Sequence, residues 1–341
     1  MTFFEVPHWN EQPRQPGFRH RNLVWLAAAA VGTIAVTGLV FANQQPLQDH
    51  LTIWLDDPDP AAAALGETLA LTDDGEFVYA ASSPVLAGTE LFSRLCGRVG
   101  SDEVNVLGCY ADRRIVVFDI EDDRLQSFEQ VTAAHELLHG VWMRMSVEER
   151  DRVGALLNDA YEGLRDDPLL ADRLAWYAQT EPGQRLNELH SILGTEIAEL
   201  PDGLERHYGE WFTDRQAIVE MNEESIAVFA QLERRAARLG SQLDDLERQI
   251  DERRDAYEHA VSAYNDAVAD FNQRADNGDF ASSASFEAER DALMAQAAVL
   301  DAERQAIDAL IDEYNELLAD VKRLDRVARS LDEALDSRPD R

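Results

Sequence analysis

The sequence predicts an α+β domain, a small sheet followed by helices, set between an N-terminal transmembrane helix and an all-α antiparallel coiled-coil hairpin. Three observations carry this reading. Residues 23–41 form a charge-free apolar run. Two β-rich runs within 104–120 precede a series of capped amphipathic stretches. Beyond about 215, apolar residues recur at every seventh position.

The apolar run reads LVWLAAAAVGTIAVTGLVF, and as a helix it spans about 29 Å, close to the hydrocarbon thickness of a bilayer. Arg14, Arg19, His20 and Arg21 precede it, while Asp49, Asp56 and Asp57 follow. The positive-inside rule therefore leaves residues 1–22 as a cytoplasmic tail and exports the body. The competing reading is a cleaved signal peptide. A long polar tail ahead of the run and an overlong apolar core favour an uncleaved, single-pass anchor. Residues 42–60, with Pro46, Pro58 and Pro60, read as a polar juxtamembrane linker.

The domain is expected over 61–214. Phe77-Val78-Tyr79-Ala80 reads as a short strand, stopped by Ser82-Ser83-Pro84. Residues 104–110 and 115–120 read as a hairpin around Ala111-Asp112-Arg113-Arg114. Ser127 and Gln130 fit a capping box for a helix running to about Met145, and Ser146 with Glu149 repeats the signal. Asp167-Pro168 and Thr180-Glu181-Pro182 mark two further helix starts. Cys96 and Cys109 are the only cysteines, and in an exported domain they are expected to pair. A loop that short contributes about 3 kcal/mol in the chain-entropy account.

The hairpin is expected over 215–336, before a short tail at 337–341. One seam runs through Phe229, Ala236, Leu243, Ile250, Tyr257, Tyr264 and Phe271, with Leu232, Leu239 and Leu246 at the complementary positions and Arg253 as a break. A second runs from Phe286 through Ile307 to Leu335. The turn sequence Ala275-Asp276-Asn277-Gly278-Asp279 lies between them. Parallel pairing with a coiled-coil partner or a second copy is the alternative.

The formal net charge is −35. A body this acidic repels nucleic acid and anionic lipid headgroups, since both need a cationic face.

His135-Glu136-Leu137-Leu138-His139 carries the chemistry. Two imidazoles four residues apart on a helix point to one side and can hold Zn²⁺, and Glu136 can act as general base on a water beside the metal. This segment resembles the active helix of the zincin superfamily of metallopeptidases. The resemblance implies a peptide or protein substrate, aligned on the edge strand of a sheet that precedes the helix. The metzincin extension is absent, since Trp142 and Met145 occupy its Gly and His positions. A downstream carboxylate is then implied as third ligand, as in gluzincins. Asn187-Glu188-Leu189-His190-Ser191 is similar to the segment that supplies it, although Ile192 replaces the usual Asp and leaves the outer contact to a ligand histidine without its familiar source. The helical wheel offers Glu196 within the apolar stripe as the alternative to Glu188, and His190 after both. His207 and Tyr208 are candidate donors to a tetrahedral intermediate. The sequence thus points to a membrane-anchored, extracytoplasmic zinc metallopeptidase. The alternative is a non-catalytic cell-envelope coiled-coil scaffold with a structural or decayed metal site.

Overall fold

A computed structural model describes residues 44–97, 106–166, 170–171, 174–175 and 183–338. The expected anchor at 23–41, the tail before it and the helix starts near 167 and 180 lie outside the described residues. Among the described residues no helix is long and apolar enough to cross a membrane. The described chain is mostly helical, with one small three-stranded sheet.

The first elements are helices: α1 (Gln44–Leu55), α2 (Pro60–Glu67) and α3 (Asp73–Ala81). Two corrections follow. Residues 42–60 are not simply a polar linker, because α1 forms there and docks through Asp49 on Arg113 and Arg144. The strand expected at 77–80 is instead part of α3. Thr72 caps that helix by accepting from the Gly75 N–H, and Asp73, Asp74 and Glu76 fill its first turn, where carboxylates favour the positive end of the helix dipole. Gly75, Val78 and Tyr79 are buried at helical spacing, and a four-residue apolar run is too short for alternation to outweigh that.

The sheet comprises β1 (Val85–Ala87), β2 (Gly108–Ala111) and β3 (Arg114–Phe118), with α4 (Thr89–Cys96) between the first two. The strand order is β1-β3-β2. β1 runs parallel to β3, and β2 runs antiparallel with Ala111 opposite Arg114. The expected hairpin is therefore present, with Asp112 and Arg113 as its two-residue turn. Both have positive φ, 50° and 66°, as the twist of a two-residue hairpin demands. Neither is glycine, so the turn is strained. Arg113 is tied down by Gln45 and Asp49 of α1. A disulfide joins Cys96 of α4 to Cys109 of β2.

A 3₁₀ turn, Asp123–Leu125, leads into α5 (Gln126–Arg144). The capping box expected from Ser127 does not form, because the turn carries the helix start to Gln126 and Ser127 falls inside it. Glu129 instead accepts from the Ile120 N–H at 2.6 Å. Ser146 and Glu149 do form a reciprocal capping box, opening α6 (Val147–Leu164). Then come α7 (Arg185–Glu196) and α8 (Asp202–Tyr208).

α5 is the spine of the larger core. Ala133, Ala134, Leu137 and Leu138 are fully buried against Leu189 and Leu193 of α7. Gly194 permits that approach, since a Cβ there would lie 2.3 Å from Leu138 Cδ1. A smaller core gathers the disulfide, Phe92, Phe118 and Leu125.

The helical hairpin comprises α9 (Arg215–Asn277) and α10 (Ser283–Ala334). Gly278 closes α9 in the left-handed conformation at φ 71°, which glycine adopts without a Cβ penalty. The break at Arg253 has a partner across the seam: its guanidinium meets Glu303 of α10 through two bonds, 2.8 and 2.9 Å. The boundary expected at 214 does not separate two cores. Ile218 of α9 is fully buried in the larger core, and Leu331 of α10 is buried in the smaller one.

Candidate metal centre

His135 and His139 lie one turn apart on α5, with ring centroids 4.8 Å apart. α5 presents them at the floor of a 460 Å³ cleft. β2 forms one wall through Gly108, Cys109 and Tyr110, and α7 forms another through Asn187 and Glu188. β2 is the edge of the sheet, so its outer backbone borders the cleft.

Glu188 sits opposite the histidines. Its Oε1 is 3.5 Å from His139 Nε2, and its Oε2 is 3.7 Å from His135 Nε2. The carboxylate of Glu136 is also near, within 4.8 Å of both imidazoles. Glu196, the other candidate, is half-buried at the end of α7 and does not line the cleft. His190 is fully buried and turns its Nε2 away, 2.8 Å from His207 Nε2.

The donor set suits zinc. Two ligands bound at 2.0–2.2 Å in a tetrahedral shell sit about 3.4 Å apart, and the two Nε2–carboxylate distances lie close to that edge length. Two imidazoles and one carboxylate are the donors of catalytic sites that keep a position open.

The imidazole of His139 is oriented from behind. Its Nδ1 lies 3.0 Å from Asn187 Oδ1 and 3.2 Å from Ser191 Oγ. Asn187 Nδ2 donates to Gln184 Oε1 at 3.1 Å, which turns Oδ1 toward the histidine. His139 Nδ1–H is therefore the donor, and the Nε2 lone pair faces the cleft. Asn187 and Ser191 thus provide the outer contact to His139 for which the sequence alone has no familiar source. Ile192 itself is buried in the core at 1% exposure. The signal was in the sequence, since Asn187 and Ser191 are four apart and so share one face of α7.

Gly108 was not singled out by sequence. A Cβ there would lie 2.3 Å from Thr132 Cγ2 and 3.0 Å from Glu136 Oε1, so its bareness lets β2 sit against α5. The structure does not bring His207 and Tyr208 to the cleft. Tyr208 is fully buried and donates to the His190 carbonyl at 2.8 Å. Burial, then the Arg152 charge, pushes His207 down to about 4, and burial pushes the Tyr208 phenol up. Compared with protein-family models, with curated proteins and with solved structures, the chain matches none.

Proposed function

We propose that the chain is a membrane-anchored, extracytoplasmic zinc metallopeptidase of the zincin kind. His135, His139 and Glu188 hold the metal, and Glu136 is the general base. The observation that carries this reading is the position of Glu188. It faces both Nε2 atoms at tetrahedral edge spacing, in a cleft bordered by a sheet edge.

Zinc bound by these residues would supply Lewis acidity, lowering the pKa of water and polarising a peptide carbonyl. The chain's own groups do the rest. The outer edge of β2 offers backbone donors and acceptors to an extended peptide, which brings a scissile bond over α5. Glu136 takes one proton from the attacking water and returns it to the amide nitrogen as the C–N bond breaks; the water's second proton, left on the new carboxyl group, passes to the amine, giving a carboxylate and an ammonium. Asn187 holds His139 in the tautomer that binds. The anchor at 23–41 belongs to the same reading and rests on its apolar length and flanking charge.

The test is zinc stoichiometry and peptidase activity of the detergent-solubilised full chain. One zinc is expected in the wild type, none in His139→Ala or Glu188→Gln, and one in Glu196→Gln. Glu136→Gln is expected to keep zinc and lose hydrolysis. A wild type without zinc would end the peptidase reading. Zinc without hydrolysis of any unfolded polypeptide would favour the scaffold.

A further inference from the structure

α1 has two opposed faces. At roughly 100° per residue, Gln45, Asp49 and Thr52 share one side of the helix. That side is docked: Asp49 is 3% exposed and meets Arg113 Nη2 at 2.6 Å and Arg144 Nη2 at 3.0 Å. Leu47, Leu51, Trp54 and Leu55 fall within an arc of roughly 100° on the other side. They are 47%, 51%, 79% and 69% exposed. Elsewhere among the described residues, large exposed apolar side chains are spread thinly over α5, α6, α9 and α10. On α1 they form a stripe.

The chain indicates what lies beside that stripe. α1 starts at Gln44, and the apolar run ends at Phe41. Three Cα steps cover at most about 11 Å, so on the anchored reading α1 begins at the surface of the bilayer. Trp and Leu suit such an interface. Residues 42–60 contain no Lys or Arg, while Asp56 and Asp57 follow the stripe. Attraction to anionic lipid is therefore not the force available. Apolar burial is, and the tether makes it an intramolecular event.

We propose that α1 lies in the membrane–water interface, with Leu47, Leu51, Trp54 and Leu55 at the headgroup–acyl boundary of a zwitterionic lipid surface, and that it holds the cleft against the membrane. This rests on the anchored-peptidase reading. Gln45 lines the cleft and Asp49 clamps α1 to the domain. The cleft is thus held about one helix diameter, roughly 10 Å, from the lipid. The substrate class that fits is a membrane-proximal stretch of an envelope polypeptide.

The test uses the full chain reconstituted in phosphatidylcholine vesicles and spin-labelled at Trp54→Cys or Leu51→Cys, with Ile311→Cys on α10 as the aqueous reference. Labels on α1 are expected to collide with oxygen, relative to a water-soluble nickel complex, severalfold more often than the reference does. A ratio equal to the reference, in protein that floats with the vesicles, overturns the interfacial helix while leaving the anchor standing. Shielding from both reagents also overturns it, because residues 23–41 or a second copy then cover the stripe. Protein that fails to float overturns the anchor and the interface together. Zinc content of the same preparation reports on the peptidase reading independently.

Discussion

Asn187 decides which nitrogen of His139 is left facing the cleft. Its amide is itself fixed by Gln184, so the orientation does not depend on the histidine alone. Asn187→Ala is expected to weaken zinc binding by about 10–100-fold, measured by competition against a chromophoric chelator. An unchanged affinity would assign the orienting role to Ser191. Gly108 bears on the same site by steric means. Gly108→Ala forces a methyl against Thr132 and Glu136, with an overpacking cost of about 1–3 kcal/mol. Hydrolysis should fall more than zinc affinity, because Glu136 moves and the ligands do not. The third residue-scale prediction concerns pH. His207 binds its proton at about 4 in the folded chain against 6.5 ordinarily, and His190 is lowered in the same direction by burial. Between those values the unfolded chain holds more protons, so stability is fully present above 6.5 and is lost as pH falls toward 4. The loss from His207 between pH 7 and pH 5 is about 2 kcal/mol. Denaturant unfolding in the presence of a chelator, so that metal release does not contribute, should show this slope in wild type and a shallower one in His207→Gln.

At the scale of the element, α1 is held by one buried carboxylate between two arginines. Arg144 also donates to Tyr110 Oη, to the Gly140 carbonyl and to the Ala81 carbonyl, so it joins α1, α3, β2 and α5. Asp49→Ala leaves Arg144 buried without its counter-charge, and breaking a buried pair from one side costs about 3–5 kcal/mol. Thermal unfolding should fall accordingly, and protease should cut near 55–60 where α1 joins α2. A melting temperature within a degree of wild type would mean that the carbonyls alone satisfy Arg144. This clamp was not legible in the sequence. Asp49, Arg113 and Arg144 are distant along the chain and carry no periodic signal, whereas the α5 motif, the Ser146 capping box and the heptad seams are local patterns. The strand expected at 77–80 fails for a related reason, since its apolar residues fit both periods over so short a stretch. The helical wheel puts Glu196 within the apolar stripe of α7 and Glu188 nearer its edge, so it does not single out the carboxylate that faces the histidines. Only the approach of α7 to α5, permitted by Gly194, faces Glu188 to the histidines and leaves Glu196 at the helix end.

For the whole molecule, the question is whether the arm is an appendage or part of the domain. Its helices are long, 63 and 52 residues, and most of their length pairs only with each other. Their bases do not. Arg215 meets Glu205 and donates to the carbonyls of Ile197 and Ala198. Val327 and Leu335 pack around the disulfide core beside Leu331, and Ser337 donates to the Val106 carbonyl at 2.7 Å. Val106 lines the cleft, so the end of the arm is stitched to the segment that leads into β2. Two deletions separate the bases from the shaft. Ending the chain at Asp214 removes Ile218 from the larger core and Leu331 from the smaller one, and the remainder is expected to be a loosely packed, protease-sensitive chain that does not retain zinc. Removing two heptads from each helix, 239–252 with 304–317, keeps the Arg253–Glu303 pair, the turn at Gly278 and both bases in register. That shortened chain should melt within a few degrees of wild type and keep its zinc and any hydrolysis of small peptides. If it loses hydrolysis of a membrane-tethered substrate's membrane-proximal stretch alone, the shaft's reach acts in recruiting that substrate. If it loses zinc as well, the shaft is part of what holds the cleft together.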